Sequence, residues 1–250
     1  MKRLNIVVPY RARDAHLKTF IRCVSLYFAR DKTDRDIPYQ VLVIEQEDGL
    51  PFNSGALKNI GFVLGREFGD YTCFHDVDYL PVWADYSWPE QPAAIVWYGA
   101  EARPIRVGEQ RALRPDPEKV FGCVVLASNA DFARVNGFSN TYWGWGFEDT
   151  DLKNRFDRDG IGMGRRKGTF EALDHDSNGF QADGSPNPIA LANHRRFQSR
   201  WAAGAQMPEY GLSTMAFEIL SRRKITEGVV AERPASWEMI TVRLPPPQNP

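Results

Sequence analysis

Three stretches of this 250-residue chain carry residue types whose spacing suits chemistry rather than packing alone. The first is "HDVD" at 75–78, at the end of a strand-like run. Strand alternation would point Asp76 and Asp78 to one side and Val77 to the other. Two carboxylates at the carboxyl end of a sheet strand suit a hard divalent cation, which can in turn bridge phosphate oxygens. The same residues also make an ordinary polar turn. His175, between Asp174 and Asp176, ends another strand-like run and is either a metal ligand or a solvated residue. Imidazole together with carboxylate would favour manganese over magnesium.

The second stretch is "VVPYRARDAHL", where Arg11 and Arg13 fall between a strand and a helix start. Their guanidiniums can fork onto phosphate and Tyr10 offers a stacking face; loop arginines also commonly face solvent. The third is "YWGWGFEDTD" at 142–151, which sets two tryptophans and glycine-rich backbone directly before a cluster of acids. Glu148, Asp149 and Asp151 fall in the first turn of a predicted helix, where the helix dipole favours carboxylates by roughly 0.3–1 kcal/mol each.

These segments need a scaffold, and the apolar periodicity supplies one. Residues 4–8 read as a buried strand ending at Pro9, 14–30 as a helix capped by Asp14, and 39–46 as a strand. Residues 53–69 read as a helix capped by Asn53 or Ser54, and 71–82 as a strand stopping at Pro81. Such alternation predicts an α/β fold with a largely parallel sheet and right-handed crossovers. Further on, 93–99 and 119–128 read as strands, 129–138 as a short helix, and 168–177 as a last strand. The helix opened by the acids stops at Gly160. Residues 176–190, rich in Gly, Pro and Asn, read as a mobile loop, and "RLPPPQNP" as a frayed end. One domain is expected over 1–250, with a first half to 82, a second over 83–225, and a tail from 226.

Composition narrows the function classes. With 31 basic and 32 acidic side chains the net charge is −1, which argues against a nucleic-acid binder. No apolar run approaches the roughly 18 residues of a membrane span, and the N-terminal run is too short for a signal segment. The three cysteines, Cys23, Cys73 and Cys123, each lie in apolar runs and read as buried thiols. A cytosolic protein is expected, free or peripheral at the inner face of a membrane. Neither "GxxxxGK[ST]" nor "GxGxxG" follows the first strand, so neither a P-loop nor a dinucleotide fold is supported.

Taken together, "VPYRARDAHL", "FNSGALKNIGF", "YTCFHDVDYLP", "FGCVVLAS", "NGFSNTYWGWGFEDTD" and "GLSTM" occur in the order of one family. The chain resembles the β-1,4-galactosyltransferases, glycosyltransferase family seven, over roughly residues 5 to 220. The tryptophan–glycine–acid motif is the specific part. Animal members carry a membrane anchor and stem; this chain looks like a compact bacterial relative without them. The resemblance implies a GT-A type fold and a manganese-dependent, inverting transfer of a sugar from a UDP donor, forming a β-1,4 linkage. It implies that Pro9, Tyr10, Arg11 and Arg13 hold the nucleotide, with Phe52, Asn53, Asp76 and Val77 lining the same pocket. Asp78 and His175 would hold the metal. Trp145 would sit on a loop closing over donor and acceptor, Glu148 and Asp149 would meet the acceptor sugar, and Asp149 would be the general base.

Three positions depart from the family. Its usual second metal ligand, two or three residues before the histidine, is replaced by Ala172 or Leu173, so Asp174, Asp176 or water would substitute. Phe147 stands where the family has glycine or arginine. Val120, ahead of "FGC" and its Gly122, replaces the tyrosine of galactose-specific members, which opens room for an N-acetyl group on the donor sugar. UDP-GalNAc therefore stands beside UDP-galactose as a candidate donor, and the acceptor glycan and oligomeric state stay open. Two other readings compete: a carbohydrate-binding module, which explains Trp143 and Trp145 alone, and a metal-dependent phosphohydrolase, which leaves both arginines unexplained.

Overall fold

The structure, a computed structural model, describes residues 1–30, 36–95, 106–107, 110–111, 121–173, 181, 185, 187–203, 210–230 and 236–247. Its first half alternates as the apolar pattern requires. Strand β1 (Leu4–Tyr10) leads to helix α1 (Asp14–Arg30), β2 (Tyr39–Gln46), α2 (Ser54–Gly65) and β3 (Tyr71–His75). Then follow β4 (Tyr79–Ala84), β5 (Ala93–Ala94), a ribbon of β6 (Arg106–Val107) and β7 (Gln110–Arg111), and β8 (Val124–Ser128). Helices α3 (Asn129–Arg134) and α4 (Glu148–Arg158), strands β9 (Gly164–Arg165) and β10 (Gly168–Ala172), helix α5 (Pro188–Arg200), β11 (Glu218–Lys224) and β12 (Ser236–Arg243) complete the chain.

The main sheet has eight strands in the order β11-β12-β2-β1-β3-β8-β5-β9. Strands β12, β2, β1 and β3 run parallel, and β11 and β8 join them antiparallel. Every residue of β1 is buried, as for a strand covered on both faces. Leu4, Ile6 and Val8 pack with Leu17, Phe20 and Val24 of α1. Val7 faces the opposite layer, made by Leu57 and Ile60 of α2 with Phe132, Leu152 and Phe156. Two helical layers thus cover the sheet on both faces.

Several boundaries differ from the sequence reading. The run 71–82 breaks at a turn: β3 ends at His75, and β4 starts at Tyr79 and carries Pro81 inside it. Among the described residues strand β4 pairs only with β10, so a proline without an N–H is tolerated there. The run 119–128 is strand only from Val124, and 93–99 only over Ala93–Ala94 among the described residues. Residues 188–190, read as loop, begin α5: Asn187 caps the helix by accepting from the Ile189 N–H at 2.9 Å, and Pro188 occupies the first turn. The segment read as a tail supplies β12, which lies between β11 and β2 with Trp237 and Met239 buried. Among the described residues no helix is long and apolar enough to cross a membrane.

Candidate active site

A cavity of about 680 Å³ opens at the carboxyl ends of β1 and β3, where open α/β sheets bind their ligands. Pro9, Tyr10, Arg11 and Arg13 line one wall, and Phe52 the next. Tyr10 is buried, and its hydroxyl donates to Asp14 at 2.6 Å while accepting the Arg13 N–H at 3.1 Å. That link fixes the loop carrying both arginines. Arg11 donates to the Leu50 carbonyl at 2.6 Å with its guanidinium 5.4 Å from the Phe52 ring centre, and Arg13 approaches Asp78 at 3.8 Å.

Asp76, Val77 and Asp78 form the turn between β3 and β4 and all line the cavity. The strand-alternation premise fails here because the backbone has already left the strand, yet both carboxylates still reach the same space. Asp76 is anchored through its N–H to the Cys123 carbonyl at 2.8 Å. Behind the turn, His75 donates from Nδ1 to the Asp76 carbonyl at 2.9 Å and accepts the Tyr86 hydroxyl on Nε2 at 2.9 Å. The carbonyl can only accept, which fixes the tautomer. Complete burial lowers the His75 pKa to about 4, so the ring is neutral support.

The opposite wall is the start of α4. Helix entry passes through Phe147 in the left-handed region (φ 75), with no side-chain cap, and delivers Glu148 and Asp149 to the cavity. Asp149 rests over Gly122: a β-carbon there would lie 2.2 Å from Asp149 Oδ2. On its other side stands Lys58 of α2, 2% exposed, with Nζ 3.3 Å from Asp149 Oδ1 and 3.6 Å from Asp76 Oδ1. Burial by itself pulls the Lys58 pKa down, but the charges of Asp149, Asp76 and Glu148 outweigh it and hold the ammonium protonated. Burial pushes Asp76 and Glu148 above the usual carboxylate range; the Asp149 charge adds to the rise at both, and Lys58 opposes it.

Asp151, the third acid of the motif, turns inward and is fully buried. Arg155 Nε meets it at 2.6 Å, Arg200 Nε at 2.9 Å, and the Trp201 Nε1–H and Tyr142 hydroxyl donate to it at 2.9 and 3.3 Å. Its work is structural. It ties α4 to α5 beneath the site.

Trp145 stands at the cavity mouth, 47% exposed. Its segment is pinned at both ends: the Gly144 N–H donates to the Phe52 carbonyl at 2.6 Å, and Asn193 of α5 donates to the carbonyls of Trp143 and Trp145 at 2.9 and 3.0 Å. Gly144 has φ +76, a conformation that glycine adopts without a Cβ penalty. Phe147 lines the cavity and stacks on His194 of α5, centroids 4.8 Å apart and planes within 8°.

Of the residues singled out from sequence, Pro9, Tyr10, Arg11, Arg13, Phe52, Asp76, Val77, Asp78, Gly122, Trp145, Glu148 and Asp149 line this one cavity. Asn53 does not. Its Oδ1 caps α2 by accepting the Ala56 N–H at 2.9 Å, its Nδ2 donates to the Asn140 carbonyl at 2.8 Å, and it borders a second cavity of about 340 Å³. Val120 and His175 lie outside the described residues, as do Asp174 and Asp176. Lys58 escaped the sequence reading, although it is the only charge between Pro51 and Leu64. A lone charge in an apolar helix, once buried, must find a partner.

Among the described residues no three metal-binding side chains converge. Asp78 offers hard, nearly buried carboxylate oxygens, and β10 brings the Leu173 N–H to the Asp78 carbonyl at 2.7 Å. His175 follows two residues later in the chain. That oxygen chemistry fits a divalent cation at Asp78.

Two family models match the chain, and together they span more than half of it. The N-terminal region of glycosyl transferase group 7 matches residues 1–87, and the N-terminal domain of galactosyltransferase matches 104–176. The chain belongs to glycosyl transferase group 7. Among curated relatives, this group 7 chain is 28% identical over 243 residues to beta-1,4-galactosyltransferase 2 of Cricetulus griseus, covering 93% of the chain and 60% of that protein. It is 30% identical over 240 residues to human beta-1,4-galactosyltransferase 7, covering 90% and 64%. The chain thus spans about 60% of the length of the curated relatives it matches. The catalytic domain of Drosophila beta-1,4-galactosyltransferase 7 in complex with xylobiose superposes with a TM-score of 0.73 at 21% identity, covering 98% of this chain and 95% of that one. A mutant of the same enzyme, in complex with manganese, UDP-Gal and xylobiose, superposes with a TM-score of 0.67 at 20% identity, with the same coverage. The fold of this group 7 chain is the GT-A type.

Proposed function

We propose that this protein is a metal-dependent, inverting glycosyltransferase that moves galactose or N-acetylgalactosamine from a UDP-sugar to a sugar hydroxyl, forming a β-1,4 linkage. One observation carries the reading: a single cavity has Arg11 and Arg13 on one wall and Glu148 and Asp149 on the other, with Trp145 at its mouth. A lectin needs only the tryptophan, and a phosphohydrolase has no use for the far wall. The manganese, UDP-Gal and xylobiose bound by the fold neighbour are consistent with a donor, a cation and a sugar acceptor here.

Inverting transfer requires a base to take the proton of the acceptor hydroxyl as its oxygen attacks the anomeric carbon from the face opposite UDP. Asp149 is that base. It sits in the first turn of α4, a position that suits an acidic side chain, and it has the cavity before it. Glu148 beside it would hydrogen-bond the acceptor. Arg11 and Arg13 would hold the diphosphate as the anomeric carbon–oxygen bond breaks and charge develops on UDP. A manganese ion held by Asp78, with His175 as the second ligand implied by the family pattern, would supply further neutralisation of that charge. Trp145 would cover the sugars and keep water from competing as acceptor. Donor choice rests on Val120, whose small side chain suits an N-acetyl group.

Calorimetry of UDP binding with and without manganese, followed by a UDP-sugar panel against several acceptors, tests the reading. Asp149→Asn is expected to keep manganese-dependent UDP binding and to lose transfer by about 10²–10⁴-fold, the scale of general-base loss. Absence of manganese-dependent UDP binding in the wild type, or normal turnover by the variant, would refute it.

A further inference from the structure

The acids of the site are accompanied by one buried cation that neither the motifs nor the family pattern assigns. Lys58 is 2% exposed, its Nζ is shared between Asp149 Oδ1 at 3.3 Å and Asp76 Oδ1 at 3.6 Å, and the Phe138 ring centre lies 5.1 Å away. Its helix is fixed on every side: Asn53 caps it, and Asn59 donates to the Phe138 carbonyl and to Asn140 Oδ1, both at 2.8 Å. The ammonium therefore has little freedom to leave. It joins two segments 73 positions apart in sequence, one on the nucleotide wall and one on the acceptor wall.

The two oxygens of Asp149 are consequently not equivalent. Oδ1 accepts from Lys58. Oδ2 lies over Gly122, where the missing β-carbon leaves it room. We propose that Lys58 is a positioning residue for the transfer reaction: it engages Asp149 Oδ1, leaves Oδ2 to take the acceptor proton, and locks the base to the Asp76 side of the donor site. This inference rests on the proposed transferase function and deepens it. In the step itself the acceptor O–H proton passes to Oδ2, the acceptor oxygen bonds to the anomeric carbon, and the bond to UDP breaks with its electron pair. Lys58 keeps its three protons throughout.

The groups facing Asp149 are Lys58 from α2, Asp76 from the turn after β3, Glu148 on its own helix and the Cys123 thiol before β8. Asp78 and its partner Arg13 stand beyond Asp76. Lys58 is the buried cation among them, so its removal leaves the carboxylates facing one another unopposed.

The experiment compares wild type, Lys58→Met and the double variant Lys58→Met/Asp76→Asn in pH profiles of kcat/KM for transfer. Binding of UDP with manganese and thermal melting are measured alongside. In Lys58→Met the acid limb is expected to move up by roughly 1–3 pH units, the range an opposite charge at this distance exerts on a carboxylate. Removing one like charge in the double variant should move the limb part of the way back. A variant that melts normally and loses rate equally at all pH values, with its acid limb unmoved, would overturn the proposal. A second readout is independent of turnover. The Lys58 ammonium resonance, assigned by its loss in Lys58→Met, should shift in Asp149→Asn, and an unchanged resonance overturns the contact itself. Wild type that transfers no sugar while this resonance shifts would sink the transferase reading and leave the pairing established.

Discussion

Gly122→Ala isolates the placement of the proposed base, Asp149, from the other properties of the site. A β-carbon on residue 122 would sit 2.2 Å from Asp149 Oδ2, 2.8 Å from its Cγ and 3.2 Å from its Cβ. Ordinary contact between such atoms begins near 3.5 Å, so the carboxylate must retreat by about 1 Å. Retreat is cheap for the fold. The carboxylate is the free end of a short side chain, and its side chain is 27% exposed. Gly122 is not among the residues with positive φ, so alanine suits its backbone, and the substitution can even gain ~0.4–1 kcal/mol by restricting the unfolded chain. Retreat is expensive for the reaction, since a misplacement of about 1 Å costs about 10²-fold. At 1.36 kcal/mol per factor of ten, that is about 2.7 kcal/mol of lost transition-state stabilisation. Initial rates with the best donor–acceptor pair should show kcat down about 10²-fold, with manganese-dependent UDP binding and the melting temperature nearly unchanged. A kcat within twofold of wild type would refute Asp149 as the base in this position. A large drop in Tm would refute the claim that the clash is local.

Asp151→Asn should behave in the opposite way, losing about 3 kcal/mol in urea unfolding because it leaves the buried Arg155 short of a counter-charge; wild-type stability would show that the inward acid is dispensable. Gly144→Ala should lower stability by at least ~1–2 kcal/mol, since residue 144 has φ +76 and its β-carbon would meet Ile189 Cγ2 at 2.5 Å. An unchanged melting temperature would contradict that packing. His75 is held neutral, its pKa lowered from 6.5 to about 4 by burial, so the unfolded chain binds its proton first. Its contribution is whole above pH 6.5 and is lost as pH falls toward 4, up to about 3 kcal/mol. Asp76 and Glu148, whose pKa values are raised in the folded chain, act with the opposite sign. The test is therefore the difference between wild type and His75→Gln in urea unfolding across that range: equal pH slopes would show that the ring does not titrate on unfolding.

The contrast between Asp149 and Asp151 shows how far a sequence can be read. Both lie in the first turn of α4 and both satisfy the helix dipole, so no local rule separates the proposed base from the strut. What separates them is which way each faces once α4 docks: Asp151 pairs with Arg155 of its own helix and meets Arg200 and Trp201, which arrive from the end of α5. The parallel core was legible because its signals are local: apolar runs of strand length, helical spacing, Asn53 as a cap. The turn after β3 was legible in effect but not in mechanism, since Asp76 and Asp78 share the cavity through a turn rather than through strand alternation. Helix α5 was obscured by the glycines and prolines just before it, although Asn187 and Pro188 form an ordinary helix start. Strand β12 was obscured by following the exposed β11 and by its place at the end of the chain, where only pairing with β2 buries Trp237 and Met239. Lys58 lies between these cases. Its isolation among uncharged neighbours signals a buried charge, but its partners stand 18 and 91 positions away, and only the folded chain brings them within reach. Residues that act through pairing across the fold are thus the ones that sequence hides, and in this site Lys58 is the one that distinguishes the two oxygens of the proposed base.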